Sequence, residues 1–210
     1  DDPAKETYSS ESREAVYSEG IFVGYRSHQK TQTAVQFPFG FGLSYTSFTY
    51  RDLLVTKTGD DSAEVSVSVT NTGAVAGKEV VQLYVSEIDP IISRPLRELK
   101  RFAKVALNPG ETKRVEFTLD KRSFAHFNTS LNTWHVSDNQ YRIEIARSCE
   151  EVIVSSTVKM GYNQKTPACD TVYHGKVAFE PKQYIHRNST VKDLAKHPVG
   201  RFLYKKIITG

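Results

Sequence analysis

This 210-residue chain has little that suits covalent bracing, metal chemistry or membrane insertion. It contains 2 Cys, 1 Met and 1 Trp. Two cysteines cannot build a disulfide framework, and without a Cys-x-x-Cys pair the usual spacing for zinc is missing. His126, His135, His174, His186 and His197 fall on separate segments without ligand spacing, so no metal and no cofactor is expected. No run approaches the ~20 consecutive apolar residues of a membrane helix, which argues against membrane association. There is no Gly-x-Ser-x-Gly elbow to expose a nucleophilic serine. No long amphipathic repeat interrupts the middle of the chain, so a fold of alternating strands and helices is not expected.

Charge of one sign is also scarce, at a net +4. Its distribution is uneven: residues 1–160 carry 19 Lys/Arg against 21 Asp/Glu, whereas residues 161–210 carry 9 against 3. The tail cations Arg187, Lys192, Lys196, Arg201, Lys205 and Lys206 are spaced rather than clustered, with no aromatics interleaved as stacking groups. That pattern reads as a solvated face, not a nucleic-acid patch. The chain starts Asp1-Asp2-Pro3 without Met or an apolar leader, so we expect a piece of a longer protein or a processed product.

What is abundant is alternation with period two. Val65, Val67 and Val69 are separated by serines, Val81, Leu83 and Val85 by Gln82 and Tyr84, Val115, Phe117 and Leu119 by Glu116 and Thr118, and Tyr141, Ile143 and Ile145 by Arg142 and Glu144. Each run predicts a strand with one face on a core and the other toward solvent. Turn formers stand between them: Gly59, Asn71-Thr72-Gly73, Asn108-Pro109-Gly110 and Asp138-Asn139. With further strands at Phe48–Val55, Leu99–Leu107 and Val152–Val158, about seven strands fall in some 110 residues, the signature of an all-β antiparallel sandwich. The core is expected to contain Val67, Val69, Leu83, Val85, Phe117, Leu119, Ile143 and Ile145, with Trp134 at least partly buried near one end.

Three regions follow. Residues 47–160 are the sandwich. Residues 1–46 are a linker and interdomain segment, polar up to Glu19 with helical tendency from Glu11 to Tyr17. A strand is expected around Ile21, Phe22, Val23 and Tyr25. The run FPFGFGLSYT (Phe37–Thr46) joins aromatics to Gly40 and Gly42, which suits packing of one domain on another. Residues 161–210 are an irregular tail in which Thr190-Val191-Lys192-Asp193 resembles a capping box opening a short helix.

Four segments in order, EGIFVGYR (Glu19–Arg26), FPFGFGLSYT (Phe37–Thr46), GKEVVQLYVSE (Gly77–Glu87) and PLRELKRFAKVALNPGET (Pro95–Thr112), resemble the C-terminal region of glycoside hydrolase family 3 β-glucosidases. The resemblance implies that the sandwich is fibronectin type III-like. It also implies that the parent enzyme removes terminal β-D-glucose with retention, and that its catalytic domains lie upstream as partners of this chain. The sequence departs from the family where a turn glycine is replaced by Asn139, and where Ala146-Arg147-Ser148-Cys149 ends the strand after it. A free-standing sandwich binding polysaccharide or a protein partner, without catalysis, is the competing reading.

No residue is expected to be catalytic. A retaining glycosidase needs two carboxyl groups about 5 Å apart across the scissile bond. Here Glu87, Asp89 and Glu98 read as loop carboxylates that are solvated or weakly paired. Glu19 and Arg26 are candidates for an interdomain contact. Tyr45, Phe48 and Tyr50 serve either packing or sugar stacking, with packing favoured. Apolar surface is expected around Phe22, Phe37, Phe39, Phe41 and Tyr45. Cys149 ends a core strand and Cys169 lies in the tail; a bridge between them would close a loop of about 20 residues, and two free thiols are the alternative. Asn128-Thr129-Ser130 and Asn188-Ser189-Thr190 are glycosylation sequons, which weigh slightly toward secretion.

Overall fold

A computed structural model describes residues 19–162 and Thr166. The helical tendency at Glu11–Tyr17 and the tail helix after Asn188 lie outside the described residues. Seven long strands form two antiparallel sheets. One contains β1 (Phe48–Lys57), β2 (Ala63–Asn71) and β5 (Thr112–Leu119) in the order β1-β2-β5. The other contains β3 (Gly77–Glu87), β4 (Glu98–Leu107), β8 (Asn139–Ala146) and β9 (Val152–Met160) in the order β4-β3-β8-β9. A short hairpin, β6 (His126–Asn128) with β7 (Thr133–His135), fills the crossing between the sheets' strands in sequence, preceded by the single turn α2 (Lys121–Phe124). Asp120 caps that turn by accepting the Ser123 N–H at 3.1 Å.

The alternating apolar residues meet between the sheets as the sequence predicts. Val67, Val69, Leu83, Leu119, Ile143 and Ile145 are fully buried, and Val85 and Phe117 nearly so. Register fixes who faces whom: Val65 pairs with Phe117 and Val67 with Val115 across β2–β5, and Leu83 pairs with Ile145 across β3–β8. A one-residue slip in any of these pairs would turn its valines or isoleucines to water. Trp134 is half-buried against this core, with the Arg122 guanidinium 3.4 Å above its ring and Phe127 edge-on.

Two expectations are corrected. Ile21–Tyr25 is not a strand. Gly20 and Gly24 take φ of 58° and 57°, which breaks an extended run, and Phe22 N–H closes a turn on the Glu19 carbonyl. The helix α1 (Tyr25–Thr31) follows instead. The second correction concerns the outer face of the four-stranded sheet, expected to be wet. Gln82, Tyr84, Glu144 and Ala146 are all buried there. Segment 19–46 lies against Gln82, Tyr84 and Ala146, and Arg97 lies against Glu144, so β3 is buried on both faces from Val81 to Ser86.

Candidate functional site: a latched aromatic segment on the sheet

The cover over the outer sheet face is built from a few contacts. Tyr25 stacks on Phe39 at 4.6 Å between ring centroids and meets Tyr84 edge-on at 6.3 Å. Its hydroxyl accepts the Leu99 N–H at 3.0 Å. Cys149 is a hub in the turn between β8 and β9. Its N–H bonds the Phe39 carbonyl at 2.9 Å, and its own carbonyl accepts from Gln29 Nε2 at 2.8 Å and Arg97 Nη1 at 2.6 Å. Gln82 reaches the same segment from below. Its Nε2 donates to the Gly40 carbonyl at 2.9 Å and also to the Arg147 carbonyl, while its Oε1 accepts from the Tyr84 hydroxyl at 2.7 Å.

Charges complete the anchorage. Arg94 Nη1 is 2.7 Å from Glu87 Oε2 and its Nη2 is 3.1 Å from Glu98 Oε2. Glu98 also pairs with Arg26 at 3.2 Å and Lys100 at 3.3 Å. Glu87 accepts from Asn139 Nδ2 at 3.1 Å through its other oxygen. Arg97 Nε lies 3.1 Å from Glu144 Oε2, placed for charge rather than aimed as a hydrogen bond, and Ser86 donates to that oxygen at 3.2 Å. Burial alone would raise the Glu98 carboxyl, but the cations of Lys100, Arg94 and Arg26 outweigh it and hold it below its ordinary value.

The loop carboxylates Glu87 and Glu98 are therefore not solvated, as expected from sequence, but buried in one ion-pair network. Arg26 ties α1 to that network, and the Glu19 backbone closes the preceding turn. Asp89 sits in the following loop at φ 46°. Phe48 and Tyr50 are core residues while Tyr45 is fully exposed, so the three do not form a platform.

Above the anchors, the segment presents apolar side chains to solvent. Phe37, Phe39, Phe41, Leu43 and Tyr45 are all exposed, Leu43 at 91% and Tyr45 at 102%. Phe22 is half-covered, with Lys30 Nζ 3.7 Å over its ring. Beside the strip lies a cleft of about 710 Å³ walled by Phe39, Phe41 and the exposed Phe102 of β4, with Glu79, Lys104 and Glu151 on its rim. Neither carboxylate is free: Glu79 Oε1 accepts the Val80 N–H at 2.9 Å and Glu151 pairs with Arg147 at 3.1 Å. Burial raises the Glu79 carboxyl.

Residues 79–149 match the family model described as a fibronectin type III-like domain. The chain is 45% identical over 166 residues to thermostable β-glucosidase B of Acetivibrio thermocellus, covering 78% of this chain and 22% of that protein. The solved GH3 β-glucosidase of Bifidobacterium adolescentis superposes with a TM-score of 0.75 at 35% identity, covering 96% of this chain and 28% of that one. This is the fibronectin type III-like C-terminal region of a family 3 glycoside hydrolase. An exo-α-(1→6)-L-arabinopyranosidase of Bifidobacterium breve is 39% identical over 182 residues, 86% of this chain and 24% of that protein. The chain thus spans about a quarter of the length of the relatives it matches, and those relatives are named for different glycosides.

Other candidate residues are brought together or set apart as follows. His126 and His135 are register partners on the β6–β7 hairpin with rings 5.6 Å apart; among the described residues no group of three or more His, Cys, Asp or Glu is placed to hold a metal. His174, His186, His197 and the basic tail lie outside the described residues. Asn128 of the first sequon is 0% exposed, and its Oδ1 accepts the Leu131 N–H at 3.0 Å. Asn188 lies outside the described residues. Cys149 is a free thiol, 1% exposed and pushed up by burial; Cys169 lies outside the described residues. Sequence reasoning missed Gln82, Arg94 and Glu144. The available signal was Tyr84, a large aromatic on the strand face assigned to water.

Proposed function

We propose that this chain is the structural, interdomain part of a β-glucosidase, and that catalytic domains preceding it in the same protein remove terminal β-D-glucose with retention. The single observation that carries this reading is the strip Phe37–Tyr45. It leaves five large apolar side chains in water on a region that makes up about a quarter of its relatives. A patch of that kind marks a surface meant to be covered. The carboxylates on or near it are held by cations or backbone amides, whereas retaining hydrolysis needs a nucleophile and a separate proton donor facing one sugar.

The test is turnover of an aryl β-glucoside. The chain alone is expected to give none, and activity is expected when the preceding polypeptide is added or joined to it. Turnover by the isolated chain, abolished by Glu79→Gln or Glu151→Gln, would move the active site into the cleft and overturn the proposal.

A further inference from the structure

We propose that Gln82 is the positioning residue of the docking strip: by holding the Gly40 carbonyl it fixes Phe37–Tyr45 in the shape that meets the rest of the polypeptide. This rests on the reading above, in which that polypeptide is the strip's partner. The occupant is argued from length, since the solved relative carries the equivalent region within a chain of which it is 28%.

Three observations single out Gln82. It is 4% exposed, yet it lies on the sheet face away from the sandwich core, so the core does not require it. Its amide is fully engaged, and each bond has a distinct end: the Gly40 carbonyl in the strip, the Arg147 carbonyl at the end of β8, and the Tyr84 hydroxyl on its own strand. Finally, Gly40 has φ 85°, and a Cβ there would collide with Gln82 Oε1. The backbone of the strip passes directly over the amide, with no side chain between.

The consequence for docking is one of preorganisation. Loop ordering is charged against binding, so a strip already held in its bound shape docks more tightly than one that must be ordered first. The hydrogen bond of Gln82 to the strip goes to the Gly40 backbone and to none of the exposed side chains, which makes it a lever on docking rather than a docking contact. Replacing it with Leu keeps the bulk on the sheet and deletes the hold on Gly40. Gly40→Ala pries the strip from above and leaves β3 unchanged.

The experiment titrates the preceding polypeptide of the same protein with wild-type chain, Gln82→Leu or Gly40→Ala. It reads the concentration giving half-maximal aryl β-glucoside turnover, together with the urea midpoint and amide exchange of Gly40–Tyr45. We expect both variants to need about tenfold more chain, the loss of roughly one to two neutral hydrogen bonds. Turnover at saturation should be unchanged and exchange in the strip faster, with the urea midpoint showing that each variant is still folded. Half-maximal turnover at the wild-type concentration for Gly40→Ala or a folded Gln82→Leu, with faster strip exchange, overturns the role of Gln82 and leaves the interdomain reading standing. A wild-type chain that neither binds nor restores turnover overturns both.

Discussion

Arg94 and Glu87 form an ion pair of 2.7 Å between side chains that are 6% and 0% exposed, at the point where the loop before β4 folds back on the end of β3. The same guanidinium holds Glu98 and donates to the Phe124 carbonyl at 2.9 Å, so four chain segments meet at one cation. Arg94→Met leaves Glu87 buried without a cation, while Glu98 keeps Arg26 and Lys100. We expect it to cost about 3–5 kcal/mol in urea unfolding, whereas pairing it with Glu87→Leu should recover part of that loss in a double-mutant cycle. Additive losses would show that the two residues are not coupled.

Leu83 is completely buried and faces Ile145 across β3–β8. Leu83→Ala should destabilise the sandwich by about 2–5 kcal/mol through lost burial and the cavity left behind. Chemical denaturation measures it directly, and a loss under about 0.5 kcal/mol would place the core elsewhere.

His126 is 8% exposed with both ring nitrogens unpartnered, and burial, reinforced by the nearby cation of Arg94 and by His135 but opposed by Glu87, pulls it down to about 4. Because its folded value lies below its unfolded 6.5, the unfolded chain binds the extra proton between those values. Stability should therefore be complete above pH 6.5 and fall as the pH drops toward 4, by up to about 3 kcal/mol. His126→Phe should reduce that slope between pH 6.5 and 5, leaving the part supplied by His135, which burial also lowers. An unchanged slope in thermal melts across this window removes His126 as its source.

Leu43 and Tyr45 stand almost wholly in water. The isolated chain should self-associate with rising concentration, and Leu43→Ser with Tyr45→Ser should shift it toward monomer without moving the urea midpoint. Sedimentation velocity reads the first effect. Identical association by wild type and variant would mean the strip is not the sticky surface.

The sandwich was legible because its signal is local. Val65–Val69 or Ile143–Ile145 alternate within one strand, and alternation states which side is dry without reference to any other part of the chain. The outer face of the sheet was not legible, because its burial depends on a segment 40 to 120 residues away. Glu144 and Gln82 read as solvent-facing in their own strands; only the positions of Arg97, Gly40 and Cys149 make them interior. Ile21–Tyr25 failed for the opposite reason. Its composition suits a strand, but two glycines at positive φ decide the backbone before any side chain does. Glu87 and Glu98 were misread because an acid in a loop is usually wet, and nothing in the spacing of Glu87, Arg94 and Glu98 announces that one arginine serves both.

The double covering of β3 has a consequence for how this chain tolerates change. Along β9, where half-buried and exposed residues alternate, every second position can drift among many residue types. From Val81 to Ser86 there is no such free position, since one set of side chains fills the sandwich and the interleaved set carries the strip and its anchors. A library randomised across both strands should recover an on-off rhythm of accepted substitutions in β9 and an unbroken block of six intolerant positions in β3. A helical or strand period read from that block would describe neither face, because the two faces answer to different structures.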